Sequence, residues 1–445
     1  RFEGDFRDLA FLKALLPDTA LRRRVAIPAL IRLRGSAGAD RGTFSTASTL
    51  SADGGELSVK GRFNPREQSY DAAIRADSFP LNSFLPADSL GIVDLALQAR
   101  GTGFDPLLPR TRTSLRAQIG RAEFGGRDFG GIELDAELDS QRLSGRISDR
   151  DEALRLLLSV SGTLTEREQR IGLSGSVFGF DLAALGVSPE PIGGSFALDA
   201  SASAAGKGAY AARIALDSIE IRNKHRTDRI RPTSVSLHTD SAATRAEAAS
   251  GDLSLTFSTP QSLIAALTRS ARALAGQIDA QSIDMEQLKP ALPDFALRVS
   301  AGPDNILNSL LKSRKIAFDA LNAEGVNCDS LPVSIRLRTE GLAYGNVVLD
   351  TVTADIRQNG KRLEYALGLA HAPGNLDNIA RAGLYGHLVR NTGQANLYQR
   401  NRAGREGFRF GLDVTWTDSL VRASVTPPDP LFGFEPWTVN RGNYL

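Results

Sequence analysis

GFRFGLDVTW, residues 407–416, sets Phe408, Phe410, Leu412, Val414 and Trp416 on one side of an extended chain and Arg409, Asp413 and Thr415 on the other. Successive side chains of a strand point to opposite faces of its sheet, so alternation this regular specifies a ribbon with one dry and one wet face. The dry face needs something to cover it: a second sheet, a membrane or a guest molecule.

The same pattern extends in both directions along the chain. Val93, Leu95 and Leu97 carry it, and Ile132, Leu134, Ala136 and Leu138 alternate with Glu133, Asp135, Glu137 and Asp139. It continues in Leu154, Leu156, Leu158 and Val160, then in Ile171, Leu173, Gly175 and Val177, then in Leu253, Leu255 and Phe257. Val333, Ile335 and Leu337 follow, and after them Leu363, Tyr365 and Leu367. These apolar sets, with Phe408, Phe410, Leu412, Val414 and Trp416, are the candidate lining of a hydrophobic surface. Roughly two dozen amphipathic strands are expected, separated by Gly, Asp, Asn and Pro turns, and such short connections favour antiparallel neighbours.

Helices are few in this reading. PQSLIAALTRSARALA, 260–275, has apolar residues at helical spacing, with Thr259 as the expected cap and Gly276 as the expected stop. DNILNSLLKSR, 304–314, is a second, with Asp304 as its cap. Short apolar turns recur in ADSFPLNSFLP (76–86), GSVFGFDLAALG (175–186) and AQSIDMEQLKP (280–290), each read as a strand running into a turn of helix; residues 4–17 offer another copy. This spacing suggests repeat units 1–86, 87–187, 188–290 and 291–425, followed by a Pro/Gly/Trp segment, 426–445.

Composition excludes several classes of function. The 445 residues are 42% hydrophobic and 23% charged, enough for a large folded core. A net charge of +2 supplies no field for gripping nucleic acid. Eight of the 53 basic residues are Lys, and the dominant Arg reads as solvent-facing charge. Cys328 is the only cysteine, so neither an internal disulfide nor a thiolate metal cluster is expected. No apolar run approaches the ~20 residues of a spanning helix. The chain begins at Arg1 and reads as an interior slice of a longer protein.

Signatures of catalysis are missing as well. The four histidines (His225, His238, His371 and His387) are scattered, and no metalloprotease, nucleophile-elbow or phosphate-loop pattern occurs. Gly101 and Gly103 suit a turn, and the carboxylates of 133–139 read as a solvated face. No enzyme activity, cofactor or metal is expected. Three architectures remain. A β-sandwich buries its dry faces against each other. An outer-membrane barrel needs aromatic girdles that seven Tyr and two Trp do not provide. The third is an all-β, elongated and twisted antiparallel groove lined by aliphatic side chains, on which acyl chains gain ~0.8 kcal/mol per buried methylene.

The repeated strand-into-turn units resemble the AsmA-like superfamily. The closing segment TPPDPLFGFEPWTVNRGNYL resembles its translocation-and-assembly-module B (TamB) branch through Pro427, Pro428, Asp429, Pro430, Phe432-Gly433, Pro436-Trp437, Val439 and Asn443. That resemblance implies a β-taco groove in the Gram-negative periplasm, anchored to the inner membrane through a missing N-terminal part. It also implies phospholipid conduction between membranes, a role in outer-membrane protein assembly or secretion, and an outer-membrane barrel partner bound through a region absent from this chain. The competing readings are a chaperone that pairs its edge with nascent barrel strands and a tandem β-sandwich spacer.

Overall fold

The computed structural model describes residues 1–7, 25–26, 28, 30–85, 90–206, 208–371, 379–417, 419–426 and 429–439. Expectations that rest on residues 8–17, or on Pro427, Pro428 and Asn443, fall outside the described residues. Contacts divide the chain into two units, Arg1–Gly206 with Ile214–Arg229, and Lys207–Arg213 with Ile230–Leu445.

In the first unit, thirteen strands run from Phe2–Arg7 to Gly193–Ala205. Each long strand pairs antiparallel with the next; the three-residue strand Arg127–Phe129 folds back on the end of Arg112–Phe124, which then pairs with Ile132–Asp139. The register keeps one face mainly apolar. Val59 lies opposite Ile74, and the row continues through Leu97, Ala117, Leu134, Ile147, Leu158 and Gly175 to Leu198. A one-residue slip in any strand would turn its apolar set to the wet side, so alternation and register enforce each other.

The second unit repeats this arrangement from Thr233–Thr239 to Glu435–Pro436. Its row runs from Leu237 through Ala246, Phe257, Leu297, Gly325, Ile335, Ile356, Tyr365, Gly386, Ala395 and Leu412 to Val425. Within each unit the sheet is open, because among the described residues no pairing joins the first strand of a unit to its last. The expected antiparallel all-β class with a few short helices is therefore present.

Burial separates this fold from a sandwich. Packed sheets would cover their inner faces fully, yet along Ile132–Asp139 the apolar residues are half-buried while the acidic ones are exposed. Among the described residues only fourteen apolar side chains are fully buried. The accessible surface is 27492 Å²; two compact domains sharing this mass would present about 20,000 Å². The apolar faces are neither interlocked with a second layer nor fully wet.

Three helices interrupt the second unit: α1 (Leu263–Asp279), α2 (Met285–Leu288) and α3 (Ile306–Ser313). Two of the expected caps are corrected. Thr259 ends the strand Leu253–Thr259 and is tied into its ladder opposite Thr244, so Ser262 caps α1 by accepting from the Ala265 N–H. The helix continues through Gly276 to Asp279. Asp304 is held by Arg231 at 2.7 Å, and Asn305 caps α3 instead. The segment 280–290 also departs from expectation: α1, rather than a strand, precedes its turn of helix.

Candidate functional site

Every residue of the candidate lining lies on the apolar face of its own unit. Val93, Leu95, Leu97, Ile132, Leu134, Leu138, Leu154, Leu156, Val160 and Leu173 are half-buried on the first, and Ile171 is 44% exposed. Leu253, Leu255, Phe257, Leu337, Leu363, Tyr365, Phe408, Phe410, Leu412, Val414 and Trp416 are half-buried on the second, with Ile335 and Leu367 more open. Two members are closed off. Leu158 is buried within its row, and Val333 sits beneath Met285 and Leu288 of α2.

That covering is a cap at one set of strand ends. Ala273 of α1, Ile283, Leu292 and Leu363 pack around Met285, Leu288 and Val333. Backbone bonds anchor the cap in both directions between Ile283 and Arg390, at 2.9 and 2.6 Å, and Arg390 reaches Asp284 at 3.4 Å. Trp416, the last apolar residue of the opening stretch, donates its indole N–H to the Gln281 carbonyl at 2.6 Å. At the opposite strand ends α3 is fixed by buried amides. The Asn308 side chain donates to Phe318 O at 2.8 Å and Pro303 O at 3.1 Å and accepts from Phe318 N–H at 3.2 Å.

The aromatic end of the second face has its own partner. Phe432, in the tight hairpin Leu431–Phe432 and Glu435–Pro436, stacks edge-on to Phe408 at 5.2 Å and to Trp437 at 6.0 Å. The greasy side of residues 407–416 therefore faces this hairpin at Phe408 and Phe410. Leu412 and Val414 are half-buried, with Ala395 and Gly393 beside them on one neighbouring strand and Val425 and Ala423 on the other.

Some polar groups on the apolar faces are answered locally and others are not: Thr259 Oγ1 and Asn327 Oδ1 are buried without a hydrogen-bond partner. Tyr365 donates its hydroxyl to Gln394 O at 2.9 Å, and burial pushes its phenol up. Asp149 lies in the row opposite Leu156 and is buried. Desolvation raises its carboxyl above the ordinary range, opposed by the Asp151 N–H bond at 2.9 Å. A carboxyl that holds its proton more tightly when folded loses stability as pH rises through its raised pKa. Asp149→Asn keeps the acceptor and removes the buried charge. It is expected to melt higher than the parent at about pH 7.5, the gap closing towards about pH 4. A gap independent of pH in thermal scans would refute this.

The opposite faces are charged. Arg116 pairs with Asp135 at 2.8 Å, Arg112 with Asp139 at 2.9 Å and Arg357 with Glu364 at 3.0 Å, as a solvated face requires. Hollows of about 540 Å³ lie on these faces, between standing arginines such as Arg100, Arg116 and Arg146 and short serines such as Ser114 and Ser144. Their walls are mainly charged and polar side chains of this face. Among the described residues no group of His, Cys, Asp and Glu could hold a metal ion.

Pattern reading misses a bulge. Ala76 and Phe79 face Leu95 and Val93, so that Asp77 and Ser78 stand against Asp94 alone, with Ser78 at φ 47°. Ala-Asp-Ser-Phe at 76–79 has a counterpart in Leu-Asp-Ser-Ile at 216–219, where Ser218 has φ 51° and Ile219 is buried like Phe79. The two left-handed serines share an Asp-Ser-apolar triplet, which Asp329-Ser330-Leu331 also has without the left-handed serine. No family model, curated protein or solved structure matches this chain.

Proposed function

We propose that the apolar face of each unit binds phospholipid acyl chains and passes them along its length, making the protein a non-enzymatic bridge for lipid between two membranes. The apolar row, mostly half-buried across nine paired strands in the first unit and twelve in the second, carries this reading. Aliphatic rows gain nearly equal free energy from each methylene at every position, which favours a sliding guest over a fixed one. Few polar groups stand on the rows, so a chain would meet little to pin it. The periplasmic setting, the inner-membrane anchor, the outer-membrane barrel partner and the link to outer-membrane biogenesis enter through the resemblance alone.

The test is direct. The folded chain, purified from bacteria without detergent and extracted with organic solvent, is expected to release phospholipid identifiable by mass spectrometry. A folded, lipid-free chain that also takes up no fluorescent phospholipid from vesicles would end the proposal.

A further inference from the structure

Helix α1 carries an apolar stripe that nothing among the described residues covers. Ile264, Leu267, Ala271, Leu274 and Ile278 follow one another at alternating three- and four-residue steps, and so line one side of the helix. All are exposed, Ile264 by 73%, Leu267 by 62% and Ile278 by 72%. The attachment of α1 uses a different side. Ala266 is buried, Ala273 packs on the cap around Met285, and Gln277 accepts from the Asp284 N–H at 2.7 Å. Leaving four large aliphatic side chains in water on a seventeen-residue helix is costly unless something covers them.

The charges on the helix indicate what does. Arg269 and Arg272 are exposed, form no ion pair among the described residues, and share α1 with a single acid, Asp279 at its last position. The positions flanking the stripe are Thr268, Ser270, Ala275 and Gln277, which are uncharged and would give a partner helix no register. A compact aliphatic stripe with arginines on the far flank suits an interfacial helix, whose apolar side sinks into the acyl boundary while the cations meet phosphates. No described helix is long and apolar enough to cross a membrane, so α1 would lie in the surface plane.

We infer that α1 docks the second unit onto an anionic phospholipid surface through Ile264, Leu267, Leu274 and Ile278. The inference rests on this helix and not on lipid occupancy of the sheets. The intact chain is incubated with vesicles of phosphatidylglycerol and phosphatidylcholine, or of phosphatidylcholine alone, and separated by flotation. The parent floats with the anionic vesicles and less with the neutral ones. Leu267→Glu with Leu274→Glu lowers the affinity at least about tenfold, and Arg269→Gln with Arg272→Gln removes most of the preference for anionic lipid. Both pairs are exposed, and unchanged circular dichroism and melting confirm the fold. Thr415→Glu, on the charged face of the sheet, leaves flotation unchanged and controls for added negative charge. A parent that floats with neither vesicle overturns the inference, as does a Leu267/Leu274 variant that floats like the parent. So does sedimentation showing that the stripe instead joins two copies of the chain.

Discussion

Leu412→Glu is expected to cut phospholipid retained by the purified chain at least tenfold while leaving it folded. Leu412 stands next to the end of the row, opposite Ala395 on one side and Val425 on the other, and is half-buried. Because the site is half open, the carboxylate reaches water in the empty protein, so the fold survives. With an acyl chain lying on the row the same carboxylate loses that water, and leaving a charge without a partner costs several kcal/mol. About 1.4 kcal/mol already amounts to a factor of ten in occupancy. Thr415→Glu, on the opposite face of the same strand, is the control and should retain lipid like the parent. A chaperone working through strand edges would be indifferent to Leu412→Glu. Equal lipid content in the two variants would therefore remove the row from the mechanism.

Asn308→Leu is expected to destabilise the second unit by roughly 3–5 kcal/mol, since each buried polar group left unpaired costs about 1–3 kcal/mol. Asn308 is fully buried, and its amide satisfies both backbone groups of buried Phe318 as well as the Pro303 carbonyl. Leucine fits a similar volume but supplies neither donor nor acceptor. The denaturation midpoint of the second unit and the exchange rate of the Phe318 amide report the change. A loss below about 1 kcal/mol would mean that the carbonyls find water, and that α3 is held mainly by its apolar contacts.

How much of this was legible depends on the kind of signal. Ile132–Asp139 shows its faces in its residue order, because a strand's two-residue period is local and needs no knowledge of its neighbours. All the candidate lining residues fall on one face per unit for that reason. The cap does not announce itself: Met285 and Leu288 are far from Val333 in the chain, and Val333 reads as one more member of an open row until α2 covers it. Helix ends failed where another element claimed the cap, as the ladder claims Thr259 and Arg231 claims Asp304. Buried Asn305 and Asn308 were equally invisible, since asparagine in a turn looks alike whether it is wet or enclosed.

The in-register pairing of neighbours has a consequence for how such a chain evolves. Each strand of a unit is recognised only by the two beside it, as in repeat proteins whose stability is a sum of local terms. Duplicating or deleting a whole hairpin restores the same faces on both sides of the splice. Each such event adds or removes about 10 Å of apolar row along the hydrogen-bonding direction. Losing a single strand would instead bring two parallel neighbours together and break the short turns. Selection for a given reach can therefore act by counting hairpins, with no residue of the surviving rows needing to change.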